Sequence, residues 1–275
     1  RVAVGCGSVQ LVQELIGIAC DAGDEVVFGW RSFEAYPTLA AIAGAAAVPV
    51  PLRDHHLDLT AMAAAVTDRT RLVILCSPNN PTGPALSQAD VVAFLGQVPP
   101  DVLVVIDEAY AEFVDDPAAV NGFTLLDRHP NLVVVRTFSK AYGLAGLRVG
   151  YAVGSAQVAG ALKQVHLPFS VTIAAQAAAL ASLAVEDQLL AQVATVVELR
   201  EPLRKELLGM GWDVPPAQGN FVWLPTDYSD RVTAVFEQHA ILVRGFPGEG
   251  VRITVGLPED NAEVVIAAHA ALVPQ

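Results

Sequence analysis

The sequence is poor in charged residues, in cysteine and in metal-binding patterns. Only 16% of its 275 residues are charged, and 29 acidic against 16 basic side chains give a net charge of −13. An acidic chain of this kind is a poor partner for nucleic acid or an anionic membrane. The three cysteines lack CxxC spacing, and their odd number favours a reducing compartment, so we expect a cytoplasmic protein. The six histidines show no ligand spacing, so we expect no metal.

The sequence also lacks an obvious transmembrane segment, although 53% of its residues are hydrophobic and its mean hydropathy is +0.45. The longest run without Asp, Glu, Lys or Arg covers residues 164–185. It contains a histidine, a proline, a glutamine and many alanines, which contribute little transfer free energy. We therefore expect this run to be buried inside a globular protein, and we expect no membrane partner.

Short apolar runs alternate with longer segments of helical spacing. The runs predict buried strands of a parallel sheet at residues 26–28, 48–52, 72–75, 103–106 and 132–135. The segments between them predict helices at 9–22, 33–44, 59–66 and 88–97, with Gly23 ending the first. This alternation indicates an α/β fold, in which a mostly parallel sheet has helices on both faces.

The last third of the chain has a different pattern. Two successive helices are predicted at 170–185 and 186–208, and the second is long enough to bridge two domains. Strands follow at 221–224, 241–244 and 251–255, with helices at 230–239 and 259–272. We expect a large domain at residues 1–185, and a bridging helix with a small C-terminal α+β domain at 186–275.

Lys140 is the most informative single residue. The chain has three lysines, and Lys163 and Lys205 lie on predicted helices, whereas Lys140 follows a predicted strand. Ligands of open α/β sheets bind at the carboxyl ends of the strands. Burial there would lower the lysine pKa and supply the neutral amine that Schiff-base chemistry with a carbonyl cofactor needs. Taken alone, a surface lysine after an edge strand explains the position equally well.

Asp107 follows the apolar residues 103–106. Alone, it is better explained as a helix N-cap or as a satisfied core carboxylate. With Lys140 one strand away, it gains a chemical meaning, because a buried carboxylate keeps a pyridine nitrogen protonated and lets the ring act as an electron sink. We expect the adjacent Glu108 to point the other way.

The segment Gly5-Cys-Gly-Ser8 precedes a predicted helix, and helix N-termini bind phosphate through free N–H groups. Most glycine turns merely connect two elements, so this signal is weak alone. Ser139 and Arg148 would strengthen it by converging there, because arginine binds phosphate through two hydrogen bonds. A solvated surface cation is the alternative for Arg148.

Three other side chains could surround a planar ring. Asn80 precedes Pro81, which favours an extended backbone and a fixed amide. Tyr110 comes three residues after Asp107, and Phe33 follows a predicted strand. A proline-rich loop and a core aromatic are equally good explanations of Asn80 and Phe33.

Three motifs, in this order and spacing, resemble one known family. They are Pro78-Asn-Asn-Pro-Thr-Gly83, Asp107-Glu-Ala-Tyr110 and Thr137-Phe-Ser-Lys-Ala-Tyr-Gly-Leu-Ala-Gly-Leu-Arg148. Together with Val251-Arg-Ile-Thr-Val-Gly256 they are similar to the pyridoxal-phosphate-dependent aminotransferases of fold type I, in the histidinol-phosphate aminotransferase branch. Gly5-Cys-Gly-Ser8 and Gly29-Trp-Arg-Ser-Phe33 resemble the actinobacterial aromatic (phenylalanine) aminotransferases of that branch.

The resemblance implies a pyridoxal 5'-phosphate cofactor and a role for each matching residue. Lys140 would bind the cofactor covalently and then move a proton during catalysis. Asp107 would pair with the pyridine nitrogen, Asn80 and Tyr110 would hydrogen-bond the phenolic oxygen, and Phe33 would stack on the ring.

The resemblance further implies a phosphate site and a substrate site. The phosphate would be held by Gly7, Ser8, Thr137, Ser139 and Arg148. Asn220 and Arg252 would face the substrate, and Arg244 would bind a substrate phosphate or belong to the acidic-substrate site. Family members are homodimers with active sites at the subunit interface, so we expect a homodimer here.

Family members also carry an N-terminal segment that closes over the active site and supplies a tyrosine to the neighbouring subunit's cofactor phosphate. The chain starts at the strand before the glycine turn, so we expect that Arg1 is preceded by such a segment in a complete enzyme. One alternative is therefore an inactive, N-terminally truncated fragment.

The sequence leaves the exact reaction open. The first hypothesis is transfer of an amino group between an aromatic amino acid or histidinol phosphate and a 2-oxo acid, such as 2-oxoglutarate, in amino-acid biosynthesis. The alternative is a lyase, such as a decarboxylase of a phosphorylated amino acid, because the cofactor motifs do not report on the substrate pocket. Arg244 and Arg252 could bind either a carboxylate or a phosphate, and we expect broad aromatic activity.

Overall fold

The computed structural model describes residues 1–272, and its larger sheet has seven strands. They are β1 (Val2–Gly5), β2 (Glu25–Trp30), β3 (Ala46–Pro51), β4 (Thr70–Cys76), β5 (Leu103–Asp107), β6 (Leu132–Thr137) and β7 (Gly150–Val153). They lie in the order β1-β7-β6-β5-β4-β2-β3. Strands β2 to β6 pair in parallel, whereas β7 pairs antiparallel with β6 and β1. The predicted mostly parallel sheet is confirmed.

Helices pack on both faces of this sheet. They are α1 (Gly7–Ala19), α2 (Tyr36–Ile42), α3 (Leu59–Ala64), α4 (Gln88–Leu95), α5 (Ala156–Val165) and α6 (Ile173–Ala184). Alternate side chains of β4 enter different cores: Leu72 and Ile74 join the cluster of α1, whereas Val73 and Leu75 join that of α3 and α4. This alternation is the period of two that a strand imposes, so both faces of the sheet are covered.

A second, three-stranded sheet follows. Its elements are α7 (Glu186–Gly209), β8 (Phe221–Pro225), α8 (Ser229–Gln238), β9 (Arg244–Phe246), β10 (Gly250–Thr254) and α9 (Pro258–Leu272). The strands are antiparallel in the order β8-β10-β9, and they share a separate buried cluster with α7, α8 and α9. The domain division after residue 185 stays a prediction, and residues 273–275 of the expected small domain lie outside the described residues.

Several predicted boundaries are wrong. Helix α1 ends at Ala19 with Cys20 in an extended conformation, so Gly23 does not end it; with φ of +90° Gly23 lies instead in the turn before β2. Helix α2 begins at Tyr36, because residues 31–35 form a loop at the pocket. The strand predicted at 241–244 begins only at Arg244, because Ile241 and Val243 pack against the core of the small domain without strand pairing. Strand β7 had no prediction, and helix α5 was predicted only as the helix that carries Lys163, without bounds.

The expectation that residues 164–185 are buried is also wrong. Phe169 is 100% exposed, Ile173 84% and Leu180 70%, while only the alanine face of α6 packs inward through Ala175 and Ala179. The apolar composition of a segment does not show whether the same chain buries it. Within residues 1–272 no single helix has the length and apolarity to cross a membrane; α6 and α7 together do, but they meet at a 79° bend.

Candidate active site

One pocket opens at the carboxyl ends of β4, β5 and β6, where parallel register aligns Cys76 with Asp107 and Asp107 with Val135. Residues of the small sheet close its other side. Eleven of the thirteen predicted site residues line it: Ser8, Phe33, Asn80, Asp107, Tyr110, Thr137, Ser139, Lys140, Arg148, Arg244 and Arg252. The remaining two are Gly7 and Asn220. The strand-end rule therefore located the site, although each residue's role stays a prediction.

Asp107 ends β5 and is 4% exposed. Its Oδ2 accepts a hydrogen bond from the Tyr36 hydroxyl at 2.8 Å, and its Oδ1 accepts one from the Ala109 N–H at 3.2 Å. Burial raises the pKa of this carboxyl to about 6, while the Tyr36 hydrogen bond and the Lys140 charge act in the opposite direction. The two hydrogen-bond donors to the Asp107 carboxylate, the Tyr36 hydroxyl and the Ala109 N–H, are both neutral. The negative charge of Asp107 can therefore pair with a cationic group of a ligand.

Glu108 points away from Asp107, as expected for adjacent residues at a strand end. It is 1% exposed, and its Oε2 accepts hydrogen bonds from Arg136 Nε at 2.8 Å and Nη2 at 2.6 Å. Its Oε1 accepts from the Gly122 N–H at 2.6 Å. Both of its oxygens are therefore used within the protein, on the face opposite the pocket.

Lys140 lies in the pocket, with Nζ 5.2 Å from the centre of the Tyr110 ring. The residue as a whole is exposed, so the burial that the sequence analysis considered for it is incomplete. The surrounding walls still desolvate the ammonium and lower its pKa, an effect that Arg252 and Arg148 reinforce and Asp107 opposes. The arrangement makes an accessible amine easier to deprotonate than an ordinary surface lysine.

The predicted phosphate residues converge at the start of α1. Gly7 has φ of +77°, and a Cβ at this position would lie 2.5 Å from Arg148 Nη2, so only glycine lets the guanidinium approach. Arg148 Nη1 donates to Ser139 Oγ at 3.3 Å, and Thr137 Oγ1 lies 2.8 Å from the same oxygen. Ser8 follows in the first turn of α1. A helix N-terminus and a guanidinium facing one space form an anion site.

The predicted ring contacts lie on the other walls. Tyr110 is 4% exposed and packs edge-on against Phe221, with ring centres 5.1 Å apart. Burial raises its pKa to about 12, so its hydroxyl stays protonated and can donate. Asn80 Oδ1 accepts a hydrogen bond from Arg252. Phe33 lines the pocket, and its ring meets Tyr36 at 87°.

The predicted substrate residues separate into two groups. Arg252 and Arg244 line the pocket, but Arg244 already has a counter-ion, because its Nη2 lies 2.7 Å from Glu34 Oε1. Asn220 does not line the pocket; the structure shows its carbonyl oxygen accepting from the Val255 N–H at 2.9 Å. A substrate contact by Asn220 stays a prediction.

The sequence analysis missed Tyr36, Glu34 and Phe246. Tyr36 falls inside the helix predicted at 33–44, and nothing in its local sequence indicates that its hydroxyl reaches Asp107, 71 positions away. Glu34 and Phe246 line the pocket through contacts between distant parts of the chain, which no local pattern indicates. Arg31, three residues before Glu34, forms an ion pair with Glu249 of the small sheet's hairpin.

Known proteins are similar to this chain in sequence and in fold. The family model for aminotransferase class I and II matches residues 1–268. The aromatic amino acid aminotransferase of Cutibacterium acnes is 50% identical over 274 residues, covering 99% of this chain and 78% of that protein. That of Thermobifida fusca is 53% identical over 271 residues, covering 98% and 75%.

A solved structure is also similar at the level of the whole chain. The histidinol-phosphate aminotransferase from Sinorhizobium meliloti, in complex with pyridoxal-5'-phosphate, has a TM-score of 0.90 and 30% identity, covering 98% of this chain and 76% of that one. These matches confirm the expected fold type and enzyme class, and the pyridoxal-phosphate dependence of that class. The chain belongs to the class I and II aminotransferases.

Proposed function

We propose that this aminotransferase takes an aromatic amino acid as its amino donor and a 2-oxo acid, such as 2-oxoglutarate, as its acceptor. The observation that carries the proposal is the content of one pocket: the Lys140 amine, the Asp107 carboxylate, an anion site around Arg148 and apolar walls at Phe33 and Phe246. Relatives about 50% identical are named for aromatic amino acids.

The residues present fit pyridoxal phosphate. Asp107 offers a buried anion to the ring nitrogen, and the cradle of Gly7, Ser8 and Arg148 has the space and donors that a phosphate needs. Asn80 and Tyr110 would hydrogen-bond the phenolic oxygen, Phe33 would cover the ring, and Thr137 and Ser139 would complete the phosphate site. Each chemical group of the cofactor therefore has a matching partner on the pocket wall.

The bound cofactor would supply a carbonyl that condenses with amines and a ring that withdraws electrons from the donor's Cα. Lys140 would bind the cofactor covalently. Once released as a neutral amine, it would take the proton from the donor's Cα and deliver it to C4′ of the cofactor. Its lowered pKa favours that neutral form. Asp107 would hold the proton on the ring nitrogen, and Arg252 would orient the donor's carboxylate.

The charge balance of the pocket favours a donor with a neutral side chain. Arg244 would be the natural partner of a phosphate or carboxylate on the side chain, but Glu34 neutralises it at 2.7 Å. Phe33, Phe246 and Val9 supply apolar surface beside this pair. An aromatic ring gains from these walls, whereas a phosphorylated side chain has to displace Glu34 first.

The first experiment is cofactor titration followed by visible absorbance. We expect a band from lysine-bound cofactor that is lost in Lys140→Ala, and borohydride reduction should leave a cofactor mass on the peptide containing Lys140. Lys163→Ala and Lys205→Ala are matched controls, because they remove the other two lysines of the chain, and both should keep the band. Undiminished covalent binding and turnover in Lys140→Ala would contradict the proposal.

The second experiment separates amino transfer from a lyase reaction. Phenylalanine, tyrosine and histidinol phosphate are supplied as competing donors with and without 2-oxoglutarate, and products are followed by mass spectrometry. We expect product only with the acceptor present, and faster reaction of the aromatic amino acids. Carbon dioxide release without an acceptor would favour the lyase, and a strong preference for histidinol phosphate would overturn the donor assignment.

We also propose that the enzyme is a cytoplasmic homodimer. Phe169, Ile173 and Leu180 each expose a large apolar side chain, which a second copy would cover. The three free cysteines are compatible with a reducing compartment. Light scattering should give a dimer mass that falls to a monomer in Ile173→Glu, whereas Leu242→Glu, which changes another exposed leucine, should leave it unchanged.

A further inference from the structure

Tyr36 stands behind the pocket wall. It begins helix α2 and is fully buried, with its ring against Phe28 at 5.9 Å and Phe33 at 5.5 Å between centres. It does not line the pocket, and no motif in the sequence analysis included it. A phenylalanine would fill the same apolar space, so packing alone does not explain the hydroxyl.

The Tyr36 hydroxyl has a specific partner. It donates to Asp107 Oδ2 at 2.8 Å, across 71 positions of sequence. A buried hydroxyl loses its water contacts, and this loss is offset only when it finds an acceptor inside the protein. Here the acceptor is the carboxylate that faces the pocket, and Ala109 N–H fixes the second oxygen. The carboxylate plane is therefore held at both of its oxygens.

The Tyr36 phenol is a permanent donor. Burial and the neighbouring Asp107 charge raise its pKa well above the ordinary tyrosine value, so it does not ionise in the physiological range. Its hydrogen bond is the largest influence that counteracts the effect of burial on Asp107. Without it, the carboxyl would hold its own proton more tightly and would compete for the proton of any cationic ring nitrogen that it faces.

We propose that Tyr36 is a positioning residue for amino transfer, because its hydroxyl orients the Asp107 carboxylate and keeps it ionised toward the cofactor's ring nitrogen. The inference rests on the proposed function, since it assigns Tyr36 a part in holding that cofactor's proton. Tyr36 touches neither the cofactor nor the substrate; it acts through Asp107.

The test is Tyr36→Phe, which removes one hydroxyl and keeps the ring. Tyr142→Phe is the matched control, because the Tyr142 hydroxyl also donates to a carboxylate, Glu186 at 2.6 Å, away from the pocket lining. The direct readout is the nitrogen-15 chemical shift of ring-labelled pyridoxal phosphate bound to each protein, which reports whether the ring nitrogen is protonated. Cofactor affinity, kcat and KM are measured alongside.

In Tyr36→Phe we expect the ring-nitrogen signal to move toward the neutral form and kcat to fall about tenfold, the effect of one hydrogen bond to a charged group. KM and phosphate-dependent cofactor binding should change by less than about threefold, because Arg252 and the phosphate cradle are untouched. Tyr142→Phe should keep the wild-type nitrogen signal. Wild-type nitrogen shift and kcat in Tyr36→Phe would overturn the proposal.

Two further measurements separate the possible failures. Tyr36→difluorotyrosine keeps the hydroxyl as a stronger donor, so it should retain the wild-type nitrogen signal even where Tyr36→Phe fails to fold. Loss of the signal would contradict the role of the hydroxyl.

In cofactor-free protein, carbon-13 titration of Asp107 should show a higher pKa in Tyr36→Phe than in the wild type. Absence of any cofactor binding by the wild type would refute the proposed function, whereas unchanged Asp107 titration would refute the Tyr36–Asp107 coupling.

Discussion

Asp107 and Glu108 are consecutive carboxylates at the end of one strand, yet they meet opposite environments. Glu108 lies on the far face of the sheet, where Arg136 and the Gly122 N–H use both of its oxygens. Asp107 faces the pocket and is held by the Tyr36 hydroxyl and the Ala109 N–H, with burial raising its pKa to about 6. Glu108 is therefore neutralised by Arg136 on one face of the sheet, whereas Asp107 accepts only from neutral donors on the other face.

The difference between Asp107 and Glu108 shows how one strand end can supply both a structural ion pair and a pocket carboxylate. The period of two sends neighbouring side chains to opposite faces, so two consecutive positions at the end of β5 place their carboxylates on opposite faces of the sheet. Breaking the buried Glu108 pair is expected to cost stability, whereas burial of Asp107 disfavours its charged form in the cofactor-free protein. Substitutions at the two positions should therefore have opposite consequences.

The largest expected effect is loss of stability in Glu108→Gln. Removing one partner of a buried ion pair typically costs about 3–5 kcal/mol, here because Arg136 would keep its charge without its closest carboxylate. Urea unfolding of the cofactor-free protein measures the change. Glu112→Gln is the control: Glu112 is 3.9 Å from Arg136, its Oε2 has no hydrogen-bond partner, and burial raises its pKa, so its loss should cost less stability than the loss of Glu108. Equal losses in both variants would show that the Glu108 pair is not special.

The second effect is on catalysis, and it belongs to Asp107→Asn. A neutral amide cannot hold a proton on the ring nitrogen as a carboxylate does, so we expect kcat to fall about 100- to 1000-fold. Single-turnover kinetics with phenylalanine measure the step that Asp107 assists. The cofactor should still bind through the phosphate cradle. A Glu108→Gln protein that remains folded should lose far less activity. A larger loss of activity in Glu108→Gln than in Asp107→Asn would contradict this prediction.

The third effect is on the pH dependence of stability without cofactor. The Asp107 pKa is about 6 in the folded chain against an ordinary value of 3.8, so the folded state binds this proton more tightly than the unfolded state. Stability from this group is therefore present below pH 4 and is lost as the pH rises to about 6. We expect Asp107→Asn to remove this decline and to stabilise the cofactor-free protein at pH 7 by about 1–3 kcal/mol. Parallel pH profiles for the two proteins would contradict it.

The smallest effect concerns a third carboxylate, Glu34, which is half-exposed at the pocket mouth beside Arg244. Glu34→Gln frees Arg244, so reaction with histidinol phosphate should gain about fivefold relative to phenylalanine, in line with an exposed ion pair worth about 1 kcal/mol. Competition between the two donors measures the ratio. Glu14→Gln, which changes a carboxylate paired with His166 away from the pocket lining, should leave the ratio unchanged.

Local patterns in the sequence predicted much of the fold and the location of the site. Apolar runs identified β2 and β4 to β6, because a doubly covered parallel strand has to be continuously apolar. The run at 48–52 also located β3, but the expectation that it is buried is wrong, because β3 is the edge strand of the sheet and only Val50 of its six residues is buried. The polar segments after those strands then indicated one pocket, and Gly7, Ser139 and Arg148 do converge there. These successes depend on rules that relate sequence to structure over a few neighbouring residues.

The features that escaped prediction depend on distant parts of the chain. The Tyr36–Asp107 hydrogen bond joins residues 71 positions apart, and the Arg244–Glu34 pair joins residues 210 apart. Neither partner has an unusual local sequence. The exposed face of α6 was mistaken for core because its composition is apolar, and composition cannot distinguish a face covered by the same chain from one left open.

The hydrogen bond between Asn80 and Arg252 has a consequence for donor affinity. The two residues come from different sheets, and Arg252 Nη1 already donates to Asn80 Oδ1. On the proposal that Arg252 binds the donor carboxylate, the incoming carboxylate would exchange this contact for another instead of adding one. The measured affinity for an amino acid should then report the difference between these two contacts, so the carboxylate should contribute less to donor binding than it would at an arginine with no partner in the protein.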